Sequence, residues 1–524
     1  MRLLTTASAM ALMGSVASAD YTLHIIHIND LHSRIESINR FDSTCSTEDE
    51  GEGKCFGGVA RVKTAIDSLR EELAGENVIV VDAGDQFQGS LFFTTYNGMA
   101  AAEFMNAIDF DVMTSGNHEF NNGPAGLASF IDAVNFPVMA GNLDVSGNDD
   151  LNGKLEDYVV LEVGGEQIAL VSALTTDTVE ISGPGPTVTF MDEVESLQAD
   201  VAELTAQGID KIIALTHVGL VKDLRIAQEV AGLDAVVGGH SHTLLSNMDE
   251  DADAYPLVNA GGVPVAQAYA YSKYVGHLTL TFDDDGVVTS ATGDTKLLDA
   301  SVEPDAAILA RVQELAAPIE EMKAEVVGST PESINGDRSV CRAEECPMGN
   351  LITTAMLERT KDQGIQIAIQ NGGGIRASFD AGDVTMGEVR TVLPFQNTLA
   401  TFQLTGAGVL AALENGVSQI EEGAGRFPQV AGLKYAFDGA AEPGSRVSDV
   451  MVMVDGAFAP IDEGATYGIV SNNFMRGGGD GYSVFETDGM NAYDFGPDLA
   501  DVVAEFIGEN GTGASAIDGR ITKK

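Results

Sequence analysis

The chain has 524 residues, 79 acidic against 28 basic, and a formal charge of −51 at pH 7. A polyanion binder neutralises phosphates with Lys and Arg, so this charge excludes nucleic-acid polymers as partners and disfavours an anionic membrane surface. A small anion stays possible, because metals and a few Arg invert the potential locally.

With 44% hydrophobic residues and only 15 prolines, the chain is globular and long enough for roughly two to four domains. Residues 1–19 read as a secretory signal segment. Arg2 gives a positive start, Leu3–Val16 a mostly apolar middle, and Ala17-Ser18-Ala19 a small-residue cleavage site. That apolar run is too short to span a membrane, and no later run reaches about 18 uninterrupted apolar residues. The last residues, Arg520-Ile521-Thr522-Lys523-Lys524, carry no hydrophobic tail of the lipid-anchor kind. The expectation is a mature chain starting near Asp20, periplasmic or secreted, with no membrane anchor. Four cysteines fit that compartment and fall as two local pairs, Cys45/Cys55 and Cys341/Cys346. Three pairings are possible, and the sequence does not choose among them.

From residue 20 to about 305, short apolar strands alternate with helical segments. The strand candidates are Leu23–Ile28, Val78–Val81, Val112–Thr114, Ile168–Ser172, Ile212–Leu215 and Ala235–Val237. This is an α/β pattern, in which ligands sit beyond the carboxyl ends of strands. Many of the runs lack alternation, as strands do when both faces are covered. Pro304–Val326 spaces Ile308, Val312, Leu315, Ile319 and Met322 close to a helical period, and 306–325 reads as an isolated connecting helix. From 326 to 524 strands and helices mix again, with glycine-rich loops at Asn371–Gly374 and Gly477–Gly481. No internal repeat or low-complexity tract stands out.

Five of the eight His lie in polar, glycine-flanked positions just after apolar runs. Their surroundings are Asn29-Asp30-Leu31-His32, Gly84-Asp85, Gly116-Asn117-His118-Glu119, Thr216-His217 and Gly238-Gly239-His240-Ser241-His242. Imidazole and carboxylate together suit Zn, Mn, Fe, Ni or Co rather than Ca. Two such ions bridged by one carboxylate are a common device for attacking phosphate esters. His24, His27 and His277 sit in or beside apolar strand patterns and read as structural.

The order of these segments resembles the metallophosphoesterase superfamily, and the longer stretches resemble its secreted or periplasmic 5′-nucleotidases, including the UDP-sugar hydrolase/5′-nucleotidase type. The resemblance covers nearly the whole mature chain. It implies an N-terminal four-layer α-β-β-α sandwich over 20–305, a helical linker over 306–325 and a C-terminal α/β nucleotide-binding domain over 326–524. It implies two divalent metal ions, Zn, Mn, Co or similar. Asp30, His32, Asp85 and His242 would hold one ion. Asp85, Asn117, His217 and His240 would hold the other, with Asp85 bridging. Family members often carry Gln at the position of His242. His118 would stabilise the phosphate or the leaving oxygen rather than ligate. One departure stands out. Where the family has Glu-Phe-Asp after this His, the chain has Glu119-Phe120-Asn121. Asn121 accepts a hydrogen bond from the ring but does not stabilise imidazolium, so a weaker acidic-side rate than Asp would give is expected.

The second half carries its own signals. Arg342 sits inside the short Cys341–Cys346 loop, and Arg376 follows the Asn371-Gly-Gly-Gly run. Arg suits bidentate phosphate contacts, and glycines let backbone and ligand approach closely. Phe395 and Phe474 stand beside loops where two rings could sandwich a planar base, and Asp480 could accept both hydroxyls of a ribose. By resemblance, Arg342, Asn371 and Arg376 hold the phosphate end, Phe395 and Phe474 stack on the base, and Asp480 binds the ribose. Arg476 stays unassigned.

The implied reaction is hydrolysis of nucleoside 5′-monophosphates to nucleoside and phosphate by a metal-activated hydroxide, with rotation of one domain bringing substrate to the metals. Alternatives are a 2′,3′-cyclic nucleotide or UDP-sugar phosphoesterase, a sulfur-compound hydrolase on the same scaffold, and a nucleotide-binding protein that has lost catalysis. Native metals, base preference and whether the protein is a monomer or dimer stay open.

Overall fold

The computed structural model describes residues 20–524 apart from 41, 43, 259, 260, 396, 455 and 495, so the expected signal segment lies outside the described residues. The N-terminal half is built on two six-stranded sheets. The first has the order Val288–Leu297, Tyr274–Phe282, Tyr21–Ile28, Asn77–Asp82, Val112–Thr114, Val138–Met139. The last four run parallel and the first two antiparallel. The second has the order Leu257–Val258, Pro264–Ala266, Ala235–Val237, Lys211–His217, Glu166–Leu174, Tyr158–Val163.

Both faces of these sheets are covered, which explains the unbroken apolar runs. Leu23, Ile25, Ile79 and Val81 of the first sheet meet Leu170, Ile213 and Leu215 of the second in one buried cluster. On the outer side of the first sheet, Ile26, Ile28 and Val80 pack with Val62, Ile66, Phe104 and Leu127 from helices Val59–Glu72, Met99–Ile108 and Gly123–Ala133. Outside the second sheet, Ala169, Val171 and Ala214 pack with Leu197, Val201 and Ile226 from helices Glu193–Ala206 and Leu220–Glu229. The layers are therefore helix, sheet, sheet, helix.

Strands Tyr274–Phe282 and Val288–Leu297 are absent from the sequence reading. Their outward residues are Thr, His, Ser and Asp, so no apolar run marks them. Helix Ala306–Lys323 is capped by Asp305, whose side chain accepts from the N–H groups of Ala307 and Ile308. It does not stand alone as the sequence reading has it. Val312, Ala316 and Ile319 join the N-terminal core, and Tyr96 donates to the Leu315 carbonyl at 2.7 Å.

The C-terminal half has a five-stranded sheet in the order Pro428–Ala431, Ile367–Asn371, Thr466–Asn472, Leu399–Thr405, Met490–Tyr493. Helices Pro347–Thr360 and Leu499–Asn510 cover one face. Helix Gly406–Gly416 and a four-stranded sheet cover the other. Cys45 is bonded to Cys55 and Cys341 to Cys346. No helix among the described residues is long and apolar enough to cross a membrane.

One surface of the N-terminal half carries a pH-dependent strain. Asp200, on helix Glu193–Ala206, turns Oδ2 inward with no hydrogen-bond partner among the described residues. Burial, then Asp157 and Glu203, push its carboxyl up to about 7. A carboxyl raised on folding stabilises fully below the ordinary carboxylate range and loses that contribution as pH climbs through about 7. Asp200→Asn should therefore raise the melting temperature relative to wild type at pH 8 but not at pH 4. Thermal melts at both values check this, and an equal difference at the two would refute it.

Candidate active site

Every expected metal ligand follows or ends a strand. Asp30 and His32 come after Tyr21–Ile28, Asp85 after Asn77–Asp82, and Asn117 and His118 after Val112–Thr114. His217 closes Lys211–His217, and His240 and His242 follow Ala235–Val237. These are the carboxyl ends of parallel strands from both sheets, where side chains converge.

The convergence is tight. Asp30 Oδ1 lies 3.3 Å from His242 Nε2 and 3.8 Å from His32 Nε2. His32 Nε2 and His242 Nε2 are 3.0 Å apart. His217 Nε2 is 3.0 Å from Asp85 Oδ2 and 3.9 Å from Asp30 Oδ1. His240 Nδ1 faces Asn117 Oδ1 at 2.8 Å. Ligand atoms of Asp30, His32 and His242 lie within 4.8 Å of one another, as do those of Asp85, His217 and His240. Asp85 also falls within that reach of His32 and His118, so its carboxylate touches both groups.

The donor set fits cations. His217 Nδ1 donates to the Ala83 carbonyl at 2.6 Å, and His32 Nδ1 faces the Phe87 carbonyl at 3.2 Å. Carbonyls on Nδ1 fix the tautomer that presents an Nε2 lone pair to the centre. His217 Nε2 is buried and makes no aligned hydrogen bond among the described residues. Burial pulls His217 down, but Asp85 and Asp30 outweigh it and push it up to about 10. The carboxylates thus demand positive charge at that spot, which a metal ion supplies while leaving the ring free to ligate. Burial depresses His32 to about 3 and, with the neighbouring His217, His240 to about 4, so both rings are neutral, as ligands must be. Burial alone would raise Asp30 and Asp85. Neighbouring imidazoles reverse that, holding Asp30 at about 2 and Asp85 well below the ordinary range.

The backbone is bent to reach this geometry. Asp30, His32, Asp85, His240 and His242 all have φ between 49° and 76°, in the left-handed region. Such residues cost about 1–3 kcal/mol each and cluster where function requires them. Gly116 has no alternative, since a Cβ there would stand 2.2 Å from Asp85 Oδ1. One side chain ties these loops together. The fully buried Glu119 carboxylate accepts from the N–H groups of Asp85 at 3.0 Å, Gln86 at 2.7 Å, Phe87 at 3.1 Å and Gly116 at 2.6 Å. His118 donates its backbone N–H to Asp85 Oδ1 at 2.8 Å, and its ring Nδ1 meets Asn121 Oδ1 at 2.6 Å.

In the C-terminal half the expected residues also gather. Asn371 ends strand Ile367–Asn371 and donates to Asp480 Oδ2 at 2.6 Å. Asn472 donates in turn to Asn371 Oδ1 at 3.0 Å. Gly373 pairs with Gly425 at 2.7 Å, and a Cβ on either would crowd the Asp480 carboxylate. Arg342 and Arg376 are both held below the ordinary Arg range, by burial first and then by repulsion involving Arg338. Clustered guanidiniums of this kind suit an anion. Phe395 and Phe474 are 41% and 47% exposed, unusual for Phe and suited to a stacking surface. Arg376 lies 5.3 Å over the Phe395 ring, and the Phe474 ring lies against Gly479. Arg476 is buried, with Asp494 at 3.6 Å and the Phe402 ring at 5.7 Å, a structural setting.

Sequence reasoning passes over Arg34 and Arg338. Both line a cavity of about 450 Å³ between the two halves, with Arg376, Arg390 and Lys323. Arg34 Nε and Arg342 Nε are buried without hydrogen-bond partners among the described residues. The signals were there. Arg34 stands two residues after His32, and Arg338 one helical turn before Arg342.

Residues 23–244 match the family model described as calcineurin-like phosphoesterase, and residues 326–487 that described as 5′-nucleotidase, C-terminal domain. The chain is 36% identical to a snake venom 5′-nucleotidase of Naja atra, covering 96% of this chain and 98% of the relative. It is 35% identical to a 5′-nucleotidase of Homo sapiens, covering 98% and 94%. A crystal structure of a 5′-nucleotidase precursor from Thermus thermophilus superposes with a TM-score of 0.67 at 40% identity, covering 96% of this chain and 99% of that one.

Removing the Glu119 carboxylate would strand four buried N–H groups. Glu119→Ala should destabilise the chain by roughly 2–4 kcal/mol in denaturant unfolding, and dialysed protein should retain less metal than wild type. Wild-type metal content would argue against its role in holding the Asp85 loop.

Proposed function

The chain belongs to the 5′-nucleotidase family, and from that premise we propose that it hydrolyses nucleoside 5′-monophosphates to nucleoside and phosphate at a centre of two divalent metal ions. The observation that carries this reading is the sharing of the buried Asp85 carboxylate between two groups of imidazole and carboxylate ligands. Asp30, His32, Asp85 and His242 would hold one ion, and Asp85, Asn117, His217 and His240 the other. Bound there, the ions supply Lewis-acid polarisation of the phosphoryl oxygens and a water acidic enough to attack near neutral pH.

The protein's own groups do the rest. Asn121 accepts the Nδ1–H of His118 and leaves Nε2 for the phosphate or the leaving oxygen. Arg342 and Arg376 neutralise the phosphate, Asn371 aligns it, and Asp480 accepts the ribose hydroxyls. Phe395 and Phe474 stack on the base. Metal ligands and base platform belong to different halves of the chain, joined through helix Ala306–Lys323. A rotation about that link would deliver substrate and release product. Two disulfides and the signal-like start support a periplasmic or secreted location.

Phosphate release from AMP with added Mn, Co or Zn is the direct test, run beside 2′,3′-cyclic nucleotide and UDP-glucose to rank substrates. Asp85→Ala should abolish turnover; activity in metal-verified variant protein would sink the shared-carboxylate reading. Phe474→Ala should raise KM for AMP roughly 5- to 150-fold, the worth of about 1–3 kcal/mol of stacking. Hydrolysis of a minimal aryl phosphate should stay largely intact, and an equal loss on both substrates would remove Phe474 from base recognition.

A further inference from the structure

His24 and His277 are two of the three imidazoles that the catalytic centre does not use. They stand on neighbouring antiparallel strands, Tyr21–Ile28 and Tyr274–Phe282, where His24 is opposite Thr279 and Ile26 opposite His277. Diagonal residues of this kind share one face. The interior side of these strands is taken by Leu23, Ile25, Leu278 and Leu280, so the two His and Thr279 occupy the outer side. His24, His277 and Thr279 are all partly exposed.

The polar atoms are already grouped. His24 Nδ1 is 3.0 Å from His277 Nε2 and 3.1 Å from Thr279 Oγ1, and Thr279 Oγ1 is 3.4 Å from His277 Nε2. Two imidazole nitrogens bound to one ion at about 2.0–2.1 Å stand about 2.9 Å apart at a right angle and about 3.3 Å apart at the tetrahedral angle. The observed 3.0 Å spacing falls between these values, on two hydrogen-bonded neighbouring strands, so a small tilt of the rings turns both nitrogens toward one ion. Glu76 acts electrostatically on His24 and Glu72 on His277, which puts negative charge beside the pair.

We propose that His24 and His277, with Thr279 beside them, form a surface site for one divalent transition-metal ion, separate from the catalytic centre. Burial lowers both rings below the ordinary His value, so they are neutral ligands at pH 7. In the free pair one ring N–H bridges the two nitrogens. Coordination requires that ring to adopt its other tautomer, and no proton leaves the protein. The ion would pin strand Tyr21–Ile28 to Tyr274–Phe282 near their middle.

Equilibrium dialysis of the full chain against Ni²⁺, with bound metal counted by mass spectrometry, tests the site. Wild type should bind one more ion per chain than His277→Gln, while both hydrolyse AMP at the same rate. Copper added to each should give a difference spectrum with hyperfine coupling to two nitrogens, and affinity should fall in the order Cu, Ni, Co, Mn. If His277→Gln does not fold, His24→Gln, at the less enclosed ring, makes the same measurement. Equal metal counts in wild type and variant, or a difference spectrum without nitrogen coupling, would overturn the proposal.

Discussion

The convergence of four backbone N–H groups on the Glu119 carboxylate underlies the rest of the site. A buried carboxylate is expensive unless its lone pairs are filled, and here the main chain fills them. The donors come from two loops, one holding Asp85 and the other leading into Asn117 and His118. Neither loop can shift without unpairing Glu119. Asp85 would otherwise be hard to keep in place, since it sits in the left-handed region among other buried acids. Burial and the nearby Asp85 push Glu119 itself up to about 7, a sign of how much negative charge this small volume holds before any cation enters.

That interaction also shows what a linear reading can and cannot supply. The candidate ligands were legible because strand ends are short, polar and rich in Gly, Asp and His, and because their order along the chain resembles one family. The apolar strands were legible for a related reason, being buried on both faces. Strands Tyr274–Phe282 and Val288–Leu297 were not, because Thr, His and Asp occupy the outer face and dilute the pattern. Arg34 and Arg338 escaped notice because their importance is a matter of assembly. They lie far apart in the chain and come together only where residues of both halves line one cavity. Glu119 was visible as part of a motif, but nothing in the letters says that its partners are backbone amides of another loop.

The net charge of −51 takes on a different meaning in this light. Positive charge is scarce, and Arg34, Arg338, Arg376, Arg390 and Lys323 all line the same interdomain cavity. Arg390 is paired with Asp501 and Lys323 with Glu320, so of these five Arg34, Arg338 and Arg376 raise the local potential toward the cavity. A mononucleotide can be drawn to so small a region; a polymer with charge at every step must also face the acidic exterior.

The left-handed backbone at the candidate ligands carries a consequence for how such a centre changes over generations. Only a few side chains tolerate that backbone well, chiefly Gly, Asn, Asp and His. Three of these four also offer oxygen or nitrogen to a metal. At Asp30, His32, Asp85, His240 and His242 the main chain and the coordination chemistry therefore filter substitutions through nearly the same short alphabet. Drift at these positions would exchange one metal-binding side chain for another more readily than for a bystander, so metal preference would wander before the capacity to bind metal is lost.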